Sequence, residues 1–171
     1  MKYLTVLLGA LAFLTCSCNN NNDEPPAKTV LPIRVYYQPM NTWMDESEID
    51  RNEHLKELNH RIVVVNSAAE LPDDGLGFSD AYVKADFQHY TMLIYYRIHR
   101  WEFEAYQYRY IFDNLERKYN WTIMLHVDSD ENHYPGMRCI SRFAIMVDKI
   151  PENAEVTAGL GFSDYNWNWS E

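Results

Sequence analysis

The chain has 171 residues, a formal charge of −10 and an aromatic content of 15%. An acidic chain is repelled by phosphate backbones and anionic lipid head groups, which argues against nucleic acid as a partner. The first eighteen residues read MKYLTVLLGALAFLTCSC: Lys2 supplies a charged start, and Tyr3 to Leu14 form an apolar run of twelve. That run is too short for a permanent membrane span but suits a secretory signal.

Small residues and cysteine follow, then NNNNDEPPAK. This resembles a bacterial lipoprotein signal, in which a cysteine becomes the acylated N-terminus after cleavage. Ser17 favours Cys18 for that role over Cys16, which follows Thr15. Asparagines and acids directly after the cysteine resemble surface-exported lipoproteins of the Bacteroides type. The expected organisation is a signal over 1–17, a lipidated Cys18 with a flexible tether over 18–29, and one globular domain over 30–171. Acyl chains contribute about 0.8 kcal/mol per buried methylene, so several hold a domain at a membrane without a spanning helix. The expected location is the cell envelope, on the outer membrane and facing outward. Loss of Lys2 with the signal takes the formal charge from −10 to −11. Cys139 is then the one cysteine of the domain, which leaves stability to packing.

LPIRVYY (31–37) alternates and predicts an entering strand. Residues 41–60 carry six acids against two bases; their sparse Ile49, Leu55 and Leu58 predict a short surface helix. RIVVVN (61–66) reads as a β-branched strand, and Ser67-Ala-Ala-Glu70 has capping-box spacing, which predicts one helical turn ending at Pro72. From Thr91 to Phe112 the chain runs 22 residues without glycine or proline. Strands are rarely that long, so a bend is expected near His99–Trp101.

Two alternating runs come next: Tyr119, Trp121, Ile123, Leu125 and Val127, then Met137, Cys139, Ser141, Phe143 and Ile145. Pairing Val127 with Met137 sets Leu125 opposite Cys139 and Trp121 opposite Phe143, so an antiparallel hairpin with one buried face is expected. The chain ends in YNWNWSE, a strand-like alternation. The fold class expected is α+β, mainly antiparallel β, as a sandwich or half-open barrel with one or two short helices.

The hexamer GLGFSD occurs at Gly75–Asp80 and again at Gly159–Asp164. Similarity does not extend outward from it, and the third glycine or Lys-Ser/Thr of a phosphate loop is missing. The expectation is one turn used twice: glycines supply positive φ, Leu and Phe peg the loop to the core, and Ser-Asp caps the next turn. A sharper alternative has Asp80 and Asp164 on two loops flanking one ligand groove.

Catalytic and metal chemistry finds little support. Cys139 shares the expected buried face with Leu125 while His126 points away, so a nucleophile–base pair is disfavoured. Asp128, Asp130 and Asn132 fall at EF-hand positions, but His133 stands where glycine is needed and Cys139 where the final glutamate is needed. No catalytic residue, cofactor or metal site is expected. The surplus is aromatic: 13 Tyr, 5 Trp and 7 Phe. Flat rings beside carboxylates stack on sugars or anchor protein interfaces. Trp101, Tyr165, Trp167 and Trp169, with Asp80 and Asp164, are the candidate ligand-binding residues, for a protein or a glycan.

The order SAAEL, ADFQHYTMLI, FAIMVDKIPENAEV resembles small Bacteroides-type envelope lipoproteins of uncharacterised function, which read S-x-x-EL, DF-x-x-x-T-LL and K-x-P. It is more remotely similar to the inhibitor-like domain of protease-complex lipoproteins. The lipid signal, the missing catalytic motifs and the surplus rings together lead to the expectation of a non-enzymatic binding module. The resemblance implies a protease-inhibitor-like domain as the weaker alternative and carries no functional residue to this chain.

Overall fold

A computed structural model describes residues 26–77, 80–127 and 134–162. The strands in chain order are β1 (Lys28–Val30), β2 (Ile33–Tyr36), β3 (Met40–Asp45), β4 (Ile62–Val65), β5 (Tyr90–His99), β6 (Ala105–Asp113), β7 (Lys118–His126), β8 (Met137–Asp148) and β9 (Val156–Phe162). Three short helices join them: α1 (Glu46–Arg51), α2 (Glu53–Leu58) and α3 (Asp80–Val83). One sheet has the order β1-β6-β7-β9, the other β2-β8-β5-β4, with β3 also paired to β8. Pairing is antiparallel except between β7 and β9. The fold is α+β, and of the two expected forms it is the sandwich.

The central element is β8. Phe143, Ile145 and Val147 pack against Tyr110, Trp121, Ile123 and Leu125 of the four-stranded sheet. Ile140, Ala144 and Met146 point the other way, with Met92, Ile94 and Tyr96, onto Ile49, Leu55, Leu58 and Tyr82. Helices therefore cover one face of the larger sheet and the smaller sheet covers the other. A strand buried on both faces reads as a near-continuous apolar run, as RCISRFAIMV does.

That layering corrects the expected hairpin. β7 bonds to β6 and β9, whereas β8 bonds to β2, β3 and β5. The two runs lie in different sheets, and Phe143 and Ile145 meet Trp121, Ile123 and Leu125 across the sandwich. Alternation told which side chains turn inward. It could not tell an in-sheet partner from one facing it across the core, because both bury the same residues.

Residues 41–60 also differ from expectation. The first five belong to β3, with Trp43 opposite Cys139. Helix then breaks at Asn52, whose backbone is extended (φ −102°, ψ 98°) and whose side chain caps α2 by accepting from Leu55 N–H at 3.2 Å. The break rephases the turn, so Ile49, Leu55 and Leu58 all face inward at 3% exposure or less. Lys28 and Thr29, expected in the tether, pair with β6 as part of β1. Ser67–Glu70 does form one turn, of 3-10 type, with the Glu70 carboxylate accepting from Asn66 N–H and the Ser67 hydroxyl, each at 2.9 Å.

Over their described residues the two hexamers take different conformations. In the first, Gly75 and Gly77 have φ of +71° and +72°, the expected turn. In the second, Gly159–Phe162 are strand β9, paired with Thr122–Leu125. There the glycine serves close approach: a Cβ on Gly161 would lie 2.5 Å from the Met124 sulfur.

Candidate functional site

The long aromatic run bends where expected. β5 ends at His99, residues 100–104 turn the corner, and β6 enters the other sheet. RWEFE therefore sits where one sheet hands the chain to the other, and rings from distant segments collect there.

His99 is the inner anchor at 6% exposure. The Ser141 hydroxyl donates to Asn41 Oδ1 at 2.6 Å, so it accepts from His99 Nε2–H at 2.7 Å. Burial pushes the His99 imidazole down to about 4, which keeps it neutral at physiological pH. Trp101 stacks on it with centroids 4.0 Å apart and planes within 11°. Phe162 meets Trp101 edge-on at 5.0 Å, and Trp43 meets Tyr134 at 4.8 Å and His99 at 6.4 Å.

A second branch runs along β6. Phe103 packs on Phe143 at 5.7 Å and on Tyr106 at 6.3 Å. Tyr106 lies 5.1 Å from Tyr108, whose ring is parallel within 2° to that of Tyr36 at 6.0 Å. The rings thus form one continuous seam from Tyr134 to Tyr36. Tyr36, Phe162 and Tyr134 are 60, 54 and 50% exposed. The seam ends in a cleft of about 310 Å³ lined by Tyr36, Tyr106, Gln107 and Tyr108. Charge borders the other end of the seam, around Tyr134: Arg100 and Arg138 converge on Glu46, and a hydrogen bond to Glu102 holds the Tyr134 phenol above its ordinary value.

Of the residues expected to bind ligand, Trp101 is part of the seam. Asp80 is not: it opens α3, exposed and paired with Lys84 at 3.1 Å. Cys18, Asp164, Tyr165, Trp167 and Trp169 lie outside the described residues, so a groove flanked by both aspartates has only Asp80 placed. Sequence reasoning did not single out His99, Trp43 or Tyr36. The alternate spacing of Tyr106, Tyr108 and Tyr110 is a signal that could have placed them on one strand face, but nothing in the chain order says that β2 and β3 bring rings to it.

A second cleft, about 450 Å³, lies between α1–α2 and the first hexamer, with Glu48, Asn52, His54, Asp73 and Gly75 in its walls. Among the described residues no group of three His, Cys, Asp or Glu is placed to hold a metal ion. Cys139 is 1% exposed and its thiol is pushed up to about 11 by burial, which makes it a core side chain. Its distance from chemistry comes from this burial, since the expected hairpin is not formed.

The molecule belongs to the class of two-sheet α+β sandwiches with an aromatic corner. Comparison of the chain with protein-family models, with curated proteins and with solved structures finds no match.

Proposed function

We propose that this protein is a lipid-tethered interaction module of the cell envelope that presents its aromatic seam, without catalysis, to a partner on the outer surface. The observation that carries the reading is the seam itself: rings from β2, β6, β9 and the segments around Trp43 and Tyr134 join in one line, with Tyr36, Phe162 and Tyr134 half exposed. Large flat side chains lose little rotamer freedom on docking, so clustered Tyr and Trp make strong anchors. The anchor rests on Cys18 and its flanks. Feeding cells a clickable fatty acid should label the wild-type protein and not Cys18→Ala, and external protease should digest the wild type on intact cells. An unlabelled, protease-protected protein would refute the tethered surface reading.

A glycan is the second reading, favoured by the carboxylates of Glu102 and Glu104 flanking the corner rings of Trp101 and Phe103. Binding on a glycan array that is lost in Trp101→Ala supports it. A blank array leaves a protein as partner.

A further inference from the structure

The seam runs onto a strand edge that the fold leaves open. β1 covers β6 from Ile111 to Asp113, and Leu31 N–H then donates to the Tyr110 carbonyl at 2.9 Å. Pro32, which has no N–H to give, follows, and the chain crosses to the other sheet, where Ile33 pairs with Val147. Backbone groups along a strand alternate between its two edges, so those of Tyr106 and Tyr108 face the same way as those of Tyr110. Among the described residues no backbone group pairs with them. Such an edge is a template for another strand. The cleft between Tyr36 and the side chains of Tyr106 and Tyr108 lies directly along it.

We propose that this edge binds an extended polypeptide segment of a partner protein by strand addition, continuing along β6 the line that β1 begins. The segment runs antiparallel to β6, exchanges backbone hydrogen bonds with Tyr106 and Tyr108, and sets one large apolar side chain beside Tyr36. Main-chain bonds supply affinity in this mode, and pockets for alternate side chains supply selectivity. The formal charge of −11 after signal removal favours a neutral or basic segment over a second copy of this chain, which would bring the same charge. The proposal rests on the interaction-module reading and gives its partner a chemical class.

The test uses full-length protein in detergent and a displayed library of linear decapeptides. The enriched sequences are then synthesised, with single N-methyl groups placed along the backbone. N-methylation at alternate positions should weaken binding at least tenfold and at intervening positions by less than threefold. Tyr36→Ala and Tyr106→Pro should each weaken it at least tenfold, and Glu57→Ala, on the helical layer, should not. Proline at 106 removes an outward N–H and leaves the β7 ladder intact, and the N-methyl scan reads the same bonds without altering the fold. No enrichment, or affinity indifferent to N-methylation, overturns strand addition. A dimer that dissociates on Tyr106→Pro overturns the choice of partner. In either case, seam-dependent binding of a folded protein or a glycan leaves the module reading standing.

Discussion

Arg142 Nη1 donates to Asp74 Oδ2 at 2.6 Å, with both side chains 1% exposed. The pair is embedded: the Tyr96 hydroxyl donates to the same oxygen at 2.8 Å, and Leu76 N–H donates to Oδ1 at 2.9 Å. Arg142 Nη2 donates to the Gly77 carbonyl at 2.5 Å. The loop bearing the first hexamer is thereby fastened to the middle of β8. Breaking one side of a buried pair strands the other charge without water, at a cost of about 3–5 kcal/mol. Arg142→Met should lower the urea midpoint accordingly, and adding Asp74→Asn should recover part of the loss. A double variant no more stable than the single would show that the pair is not coupled.

The two hexamers should respond differently to the same substitution. Gly75→Ala and Gly77→Ala force a side chain into the left-handed region, at about 1–2 kcal/mol each. Gly159 is in a strand, and a Cβ there meets nothing within 4 Å, so Gly159→Ala should stay within about 0.5 kcal/mol. Urea denaturation of the three variants separates these values, and equal losses would contradict the assignment of turn and strand.

His99 should make stability depend on pH. Its folded value of about 4 lies below the ordinary 6.5, so the unfolded chain binds more protons between the two. The stabilisation is present above about 6.5 and is lost as pH falls through 4, with a total of about 3 kcal/mol. His60, also lowered by burial and by Arg97, contributes in the same direction. Urea midpoints at pH 7 and pH 4.5 should differ less in His99→Gln than in the wild type. An unchanged difference would mean that the imidazole is solvated.

Cys139 should resist alkylation while the domain is folded. With its thiol buried and held near 11, iodoacetamide at pH 7.5 should leave the Cys139 peptide unmodified in buffer and label it in 8 M urea, as read by mass spectrometry. Rapid labelling of the native protein would place the thiol at the surface.

The sequence carried the burial of one face of β7 and β8, because a period of two reports which face is apolar. It did not carry the second buried face of β8, where Ile140, Arg142, Ala144 and Met146 meet the helical layer. Their assignment to separate sheets was not legible, since it depends on the chain re-entering at Met137 in the other layer. Residues 49, 55 and 58 could not look like one helical stripe until Asn52 interrupted the turn. The bend after His99 was legible from length alone. Trp101 could be nominated from composition, but Trp43 and Tyr36 reach the seam through β3 and β2 pairing with β8, a long-range contact that no local pattern encodes.

The seam as docking surface is tested most directly by photocrosslinking on intact cells. A benzophenone side chain placed at Tyr36 or Trp101 should yield a discrete adduct, whereas the same group at Glu57 on the opposite, helical layer should not. Adducts from Glu57 alone, with none from Tyr36 or Trp101, would contradict the account.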